Sequence, residues 1–391
     1  MSRRERTAPF DNPLFTPSPL LYGHEFFRPD SALWWLFVFL TTSCGILLIT
    51  TIGATFIAVQ AAMATMLLFF IPSVALCVWA MMSCDIYQIR RTWVILTSFA
   101  GGATIATYLS TMGNSYSGTV APGLLGEDLA RLWSAAIFGP STEEWSKAVC
   151  IALILLIAKG TLTRPAHGLM VGAFVGLGFQ VTENVIYSIQ SAINSPQGDL
   201  NDAATTAALR FLGDFSGHNL FSALAGVGVA YLLGRTGNAR VGGYQRLKIF
   251  AGFYCLAWTL HFMGNAHYPG PMVLVMVFAK VPISLAVLYF VLQWLWRSER
   301  AYLMEAAISV SGAEPGDDSR LTEVERIAIG AGGERRRYLS RLRKREGKQA
   351  ARKARRQMNL YLIRLQAWGR YGTGVDEHLG NQYAVMRAAQ G

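Results

Sequence analysis

The chain carries little charge for its length. Charged residues make up 15% of its 391 residues, whereas a soluble domain usually carries about 25%. Hydrophobic residues make up 52%, and the mean hydropathy is +0.31. With so few charged residues, much of the protein surface cannot face water. The composition therefore excludes an ordinary cytosolic enzyme, and it also excludes disorder of most of the chain.

Close cysteine pairs are also missing, and we expect no cleavable leader. The five cysteines are odd in number, lie in apolar segments and form no close pair: Cys44, Cys77, Cys84, Cys150 and Cys255. This pattern predicts reduced packing residues and excludes a disulfide frame or a cysteine zinc cluster. The first apolar run begins near Ala32 and is too long for the core of a signal peptide.

Long apolar runs predict an all-α fold, a polytopic membrane bundle of about eight transmembrane helices. The runs are 33–57, 61–84, 92–112, 128–158, 167–194, 203–234, 249–267 and 271–296. We expect an N-terminal arm (1–32), a transmembrane bundle (33–297) whose motif-bearing core is 125–267, and a soluble basic tail (298–391). The fourth run is expected to break at Gly139-Pro140, with Ser141 as the N-cap of a new helix.

Basic residues lie on one side of the predicted membrane. The N-terminal arm and alternate loops contain Arg3, Arg4, Arg6, Arg28, Arg90, Arg91, Lys159, Arg164, Arg235, Arg240, Arg246 and Lys248. The opposite connections, 58–60, 113–127, 195–202 and 268–270, contain neither Lys nor Arg. This asymmetry predicts a multi-pass protein of the cell membrane with both termini in the cytoplasm.

The tail from Arg297 onwards holds 19 basic and 11 acidic residues. Residues 334–368 are rich in Arg and Lys with interleaved apolar residues, which is typical of a helix on the anionic inner leaflet. A solvated charged tail that fixes the orientation explains the same pattern. We expect no nucleic-acid partner, since no recognisable binding module accompanies the charge.

Ionisable residues inside membrane spans are costly and therefore point to function. The fourth run contains Glu143, Glu144 and Lys147, and both carboxylates can reach the lysine from one helical face. Such a pair can keep one carboxylate ionised while the other serves as an acid or base. A cap at the start of a helix with a local ion pair is the structural alternative.

Three further runs carry polar groups at similar depth. Glu183 lies about 24 Å from the inner boundary at 1.5 Å per residue, and it could also be a structural hydrogen-bonding acid. Arg210, Asp214 and His218 follow at four-residue steps and are expected on one helix face, with Asp214 orienting His218. A packed histidine is the alternative for His218.

The seventh run contains His261 and Asn265, again four residues apart. Gly168, Gly172 and Gly176 form a small-residue stripe that is expected to pack closely on another helix. Lys280 either extends outward or faces the cluster.

Two histidines and a carboxylate with an open fourth position suit a catalytic zinc ion, and a further carboxylate can serve as its general base. No histidine pair has HExxH spacing, so this is not a zincin helix.

Four sequence features, taken in order along the chain, resemble those of the PrsW family of intramembrane proteases. They are Glu143-Glu144-x-x-Lys147, Phe179-x-x-x-Glu183-Asn184, His218 and His261-x-x-x-Asn265. The resemblance covers roughly residues 125–267. The related CAAX prenyl endopeptidases have an Arg one residue beyond the position of Lys147 and a His at the position of Glu183. This sequence differs from that pattern at both positions, which argues against prenylated substrates. The resemblance implies cleavage of a membrane-anchored protein, such as an anti-sigma factor, on the extracytoplasmic side.

The expected mechanism is hydrolysis with Glu143 as general base and with Glu144 and Lys147 tuning its protonation. Glu183, His218 and His261 are expected to hold Zn²⁺ or to position the water directly, and Asn265 to stabilise the oxyanion. A proton- or ion-coupled transporter is the main alternative, because buried ionisable residues also form proton relays. Its signature would be an internal repeat, and none is evident. A non-catalytic membrane scaffold is a third possibility.

Overall fold

The computed structural model describes residues 26–58, 60–85, 91–159, 161–194, 199–236, 241–311, 328, 330 and 332–371. Within these ranges the chain is helical and contains no strand. Most of the predicted arm lies outside them, including Arg3, Arg4 and Arg6, as do Arg90 and Arg240 of the inner loops.

The helices follow one another through short connections. They are α1 (Ala32–Ala58), α2 (Gln60–Cys84), α3 (Thr92–Gly101), α4 (Thr107–Leu125), α5 (Glu127–Ile157), α6 (Pro165–Ile193), α7 (Asp199–Gly213), α8 (His218–Leu232), α9 (Gly243–Asn265), α10 (Met272–Ser311) and α11 (Gly332–Tyr371). A π-helical turn, Gly102–Ala106, joins α3 to α4 without a break. Gly126, with φ of 81°, separates α4 from α5 because this left-handed backbone suits glycine.

Five helical stretches among the described residues are long and apolar enough to cross a membrane. They are Ala32–Gly53, Met66–Cys84, Thr92–Leu125, Pro165–Ile193 and Phe278–Leu303. The chain is therefore an α-helical membrane protein. The other three predicted spans, 128–158, 203–234 and 249–267, carry most of the candidate site residues, and their polar groups reduce the apolar signal. The total of eight stays a prediction.

The predicted break of the fourth run at Gly139-Pro140 and the predicted N-cap at Ser141 are both wrong. Helix α5 runs through Pro140 without a break, and the hydroxyl of Ser141 donates to the Ile137 carbonyl at 2.6 Å instead of capping a new helix. Proline removes one helical hydrogen bond, which a packed bundle tolerates when nearby groups supply donors. The Asn265 side chain donates to the Ala135 carbonyl at 3.3 Å, next to the Ala136 carbonyl that Pro140 leaves without its helical donor.

The predicted sixth span is two helices rather than one. Helix α7 ends at Gly213, a 3₁₀ turn spans Asp214–Ser216, and α8 begins at His218 after Gly217. Arg210, Asp214 and His218 therefore do not line one helix face. The break turns the start of α8 towards α6, which places His218 at the head of its helix.

The glycine stripe of α6 packs against the backbone of α8, as predicted. A Cβ on Gly172 would lie 2.8 Å from the Ser222 carbonyl carbon, and one on Gly176 would lie 2.7 Å from the His218 carbonyl carbon. The π turn approaches the opposite side of α6, where a Cβ on Gly102 would lie 2.7 Å from the Val175 carbonyl carbon. Helix α6 is therefore held on two sides by close backbone contacts, which fix the position of its polar end.

The last two helices extend beyond the predicted bundle boundary. Helix α10 continues to Ser311, and α11 is a strongly basic helix that bends at Gly347, where φ is 92°. The predicted linker 311–333 lies almost entirely outside the described residues. Helix α11 packs on α10, so the tail is attached to the bundle at this point.

Candidate active site and metal centre

All seven predicted site residues lie in one region between α5, α6, α8 and α9, and five of them are buried: Glu143, Glu144, Lys147, His218 and His261. Helix α5 contributes Glu143, Glu144 and Lys147, α6 contributes Glu183, α8 begins with His218, and α9 contributes His261 and Asn265. Hydrogen bonds between these side chains connect the four helices. The structure thus brings together polar groups that are separated by up to 122 residues in the sequence.

Two carboxylates hold the two imidazoles. Nδ1 of His261 donates to Oε1 of Glu144 at 2.8 Å, and Nε2 of His218 donates to Oε2 of Glu183 at 2.7 Å. A neutral imidazole that donates from one nitrogen presents a lone pair at the other. Nε2 of His261 and Nδ1 of His218 are therefore the basic nitrogens, and both face Glu143. Carboxylates commonly fix metal-binding histidines in this way.

The carboxylate of Glu143 lies between these two nitrogens. Its Oε2 is 3.6 Å from Nε2 of His261 and 3.8 Å from Nδ1 of His218. This oxygen is buried and accepts no hydrogen bond among the described residues. One ligand atom from each of Glu143, His218 and His261 can be chosen so that all three lie within 4.8 Å of one another.

This donor set fits a metal ion. Ligand atoms about 2.0 to 2.1 Å from a tetrahedral zinc ion are roughly 3.3 Å from one another, so the two separations from Oε2 of Glu143 need only a small contraction, and the Lys147 ammonium, 3.0 Å from Nδ1 of His218, must turn away from that nitrogen when an ion binds. A carboxylate oxygen and two imidazole nitrogens also form the ligand set of many catalytic zinc sites. The buried Glu143 oxygen without a donor would gain a partner when an ion binds.

Glu183, expected among the ligands, occupies a different place from Glu143. Its Oε2 accepts the hydrogen bond from Nε2 of His218 and a second from Nη2 of Arg210, each at 2.7 Å. It therefore contacts the His218 nitrogen that does not face Glu143. In this arrangement the carboxylate orients the imidazole and is itself held by a cation.

Lys147 is fully buried in the middle of the site. Its Nζ donates to Oε1 of Glu144 at 2.7 Å and to Nδ1 of His218 at 3.0 Å, and it lies 3.9 Å from Oε2 of Glu143. The ammonium also lies over the Phe179 ring, 4.3 Å from its centroid. It therefore touches both carboxylates of the Glu-Glu pair, as the spacing predicts.

Asn114 is a site residue that the sequence does not reveal. This residue of α4 donates from Nδ2 to Oε1 of Glu143 at 3.1 Å, and its side-chain oxygen accepts the Thr142 hydroxyl. The neighbouring Gly113 lets α4 approach α5, because a Cβ there would lie 2.8 Å from Cγ2 of Thr142. The sequence does not single it out, because Asn114 lies among other small polar residues in a segment, 113–127, that is predicted to be an outer connection.

Asp214 does not orient His218, in contrast to the expectation. It accepts hydrogen bonds from the Ser73 hydroxyl and from Nδ2 of Asn184, the latter at 3.0 Å. The Asn184 oxygen in turn accepts Nε of Arg210. Arg210 therefore pairs with Glu183 and not with Asp214, because the break after Gly213 turns these residues to different sides. The resulting network links α2, α6 and α7 to the site.

One edge of the site is accessible. Asn265 is exposed and its Nδ2 lies 3.2 Å from Nε2 of His261, while Ser141 is exposed one turn of α5 away from Glu144. The indole of Trp258 donates to the Ser141 hydroxyl at 3.1 Å. A substrate could therefore reach the buried groups from the side where α5 meets α9.

A family model described as PrsW family intramembrane metalloprotease matches residues 90–295. The match covers just over half of the 391 residues and includes every helix that contributes to the site. No curated protein and no solved structure matches the chain. The match therefore rests on the membrane core and does not extend to the basic tail.

Proposed function

Because the chain belongs to the PrsW family of intramembrane metalloproteases, and is thus a peptide-bond hydrolase of the membrane, we propose that it cleaves a membrane-anchored protein. A single-pass regulator such as an anti-sigma factor is the substrate we expect. The observation that carries this proposal is the arrangement of two carboxylate-held imidazoles around the buried, unpartnered Oε2 of Glu143.

Three residues would hold the metal. We propose that Glu143, His218 and His261 bind Zn²⁺ through Oε2, Nδ1 and Nε2, the atoms that face one another. Glu183 then acts as the hydrogen-bond partner of His218 and not as a ligand. A zinc ion with three protein ligands and an open position supplies an activated water and polarises a carbonyl group.

The remaining residues prepare the site. Glu144 keeps the His261 proton on Nδ1, and Glu183 keeps the His218 proton on Nε2, so both lone pairs stay directed inward. Lys147 neutralises part of the charge that two adjacent carboxylates bring into the membrane. Asn265, the exposed member of the group, is placed to donate to the carbonyl oxygen of the scissile bond.

The site is proposed to face the extracytoplasmic side of the cell membrane. Helix α9 carries Arg246 and Lys248 near its start and the site residues in its last two turns. Glu143 lies 14 residues before the end of α5, about 21 Å along the helix at 1.5 Å per residue. With the basic loops in the cytoplasm, both measures support a site in the outer half of the bilayer.

The basic tail is proposed to lie on anionic lipids of the inner leaflet. Exposed cationic side chains follow the second half of α11, namely Arg352, Lys353, Arg355 and Arg356, while Ala354, Met358 and Leu362 are buried. Amide hydrogen exchange of residues 348–371 should be slower in nanodiscs that contain phosphatidylglycerol than in phosphatidylcholine nanodiscs. Equal exchange rates would favour the solvated tail.

The function is tested with the full chain reconstituted in liposomes and with the membrane proteome of cells. Glu143→Gln and His218→Ala should each abolish a cleavage fragment that the wild type produces, while thermal unfolding in detergent stays close to that of the wild type. Glu127→Gln is a matched control, because Glu127 is exposed in the first turn of the same helix. Wild-type cleavage by both site variants would overturn the proposal.

Metal content separates the zinc mechanism from a metal-free one. Purified wild type should contain about one equivalent of zinc per chain, and His218→Ala should contain much less. A chelator should remove activity, and added Zn²⁺ should restore it. Full activity of metal-free protein would exclude zinc and leave Glu143 to activate water directly.

A further inference from the structure

Lys280 of α10 carries a charge near the candidate site that the proposed mechanism does not use. It lies eight residues from the start of α10, about 12 Å into the helix at 1.5 Å per residue, and within the apolar stretch Phe278–Leu303. A lysine at such a depth is costly unless its ammonium finds a partner.

The ammonium reaches the rim of the candidate site. It lies over the Phe221 ring, 5.4 Å from its centroid, and Phe221 stacks on His261 with ring centroids 5.3 Å apart. Gly264 makes room for it, since a Cβ at that position would lie 3.1 Å from Cε of Lys280 and still closer to Nζ. The side chain therefore runs along the last turn of α9, one turn beyond His261.

Lys280 has no ion pair within the part of the chain that the structure describes. Arg210, which repels the ammonium, and Glu183, which attracts it, are charged groups of the site whose electrostatic effect reaches Lys280. Glu183 is already shared by Arg210 and His218, each at 2.7 Å. Glu183 is thus engaged by two other groups, and the Lys280 ammonium has no carboxylate within ion-pair distance among the described residues.

We propose that Lys280 binds a carboxylate of the substrate, an Asp or Glu side chain next to the scissile bond. This inference rests on the proposed function and adds a preference for acidic substrates. A charge-assisted hydrogen bond in a water-poor site would be stronger than the same bond in water. A bilayer phosphate is the competing partner, but the stack of Lys280, Phe221 and His261 ties the ammonium to the site.

The test uses three tagged single-pass reporter proteins that differ only at the outer flank of the cleaved segment, which carries Asp, Asn or Lys. Each is reconstituted with the full chain in phosphatidylcholine liposomes, and cleavage is measured as kcat/KM. Wild type should cleave the Asp reporter at least about tenfold faster than the Asn reporter, as expected for one charge-assisted hydrogen bond. Lys280→Met should bring this ratio close to one, and Lys280→Glu should reverse it towards the Lys reporter.

Two further variants separate binding from folding. Gly264→Ala should displace the flexible ammonium and lower the Asp-to-Asn ratio without lowering the thermal unfolding temperature, since alanine favours the helix. Lys248→Met is the matched control, because Lys248 is exposed at the far end of α9, and it should keep the wild-type ratio.

The outcomes distinguish the two proposals. If Glu143→Gln abolishes cleavage of all reporters but Lys280→Met keeps the wild-type ratio, only the inference about Lys280 is wrong. If Lys280→Met slows every reporter equally, or acts only when phosphatidylglycerol is added, Lys280 does not read the substrate charge and the inference is again wrong. If Glu143→Gln cleaves as well as wild type, the proposed function itself fails.

Discussion

Gly176 of α6 controls the distance between two helices that hold the candidate site. In Gly176→Ala the new Cβ would lie 2.7 Å from the His218 carbonyl carbon, 2.8 Å from Cα of Asn219, and closer still to the His218 carbonyl oxygen. Carbon atoms in good contact are about 3.5 Å apart, so α6 and α8 must separate by at least roughly 0.8 Å. All three neighbouring atoms belong to backbone, which cannot rotate away as the end of a side chain can.

This separation of α6 and α8 should change the geometry of the candidate site directly. Glu183 lies on α6 and His218 on α8, and their hydrogen bond of 2.7 Å would lengthen to the limit of about 3.5 Å. Overpacking costs about 1 to 3 kcal/mol, and weakening a hydrogen bond to a charged group adds up to about 1.5 to 3 kcal/mol. We expect a lower thermal unfolding temperature and a loss of His218 orientation.

The measurement compares thermal unfolding in detergent and reporter cleavage in liposomes for Gly176→Ala and Gly252→Ala. A Cβ on Gly252 meets no atom within 4 Å, so this control should be neutral or stabilise the helix by up to about 1 kcal/mol. Wild-type stability together with wild-type cleavage in Gly176→Ala would refute the assignment of close α6–α8 packing as the support of His218.

Two other residues give independent tests. Asn114→Leu removes the donor to Oε1 of Glu143 and should lower kcat/KM at least about tenfold; because a hydrogen bond to a charged group contributes about 1.5 to 3 kcal/mol to stability, the unfolding temperature should also fall, and unchanged kcat/KM would exclude a role in positioning Glu143. Glu299→Gln disrupts the buried ion pair with Arg164, in which Nε and Oε2 are 2.8 Å apart, and should destabilise the fold by about 3 to 5 kcal/mol. Because this pair lies at the opposite end of α6, zinc content should stay at the wild-type level, and loss of zinc without loss of stability would contradict the prediction.

Much of the site could be predicted because helical spacing is local. Glu143, Glu144 and Lys147 share one turn of α5, and His261 and Asn265 share one face of α9, whatever the rest of the fold does. The scarcity of charge in the apolar runs made each of these residues conspicuous. Residue types and depth along the helices therefore pointed to a polar cluster before any tertiary contact was known.

The partners of each side chain could not be predicted in the same way. Glu143 and Glu183 are both carboxylates at similar depth, and only the rotation of α5 and α6 about their axes decides which faces the two imidazoles. The break between Gly213 and Gly217 likewise turned Asp214 away from His218. Spacing on a continuous helix could not show this, since glycine permits the break without requiring it.

The sequence alone determined that the chain lies in a membrane, that it is helical, and which scarce ionisable residues lie within its apolar core, because hydropathy and helical periodicity act over a few neighbouring residues. The tertiary structure decided that Asn114 donates to Glu143, that Glu183 lies within hydrogen-bond distance of His218, and that Lys280 reaches the rim of the same region from α10. These relations depend on distances between helices far apart in sequence, which are set by backbone contacts such as that of Gly176 with α8.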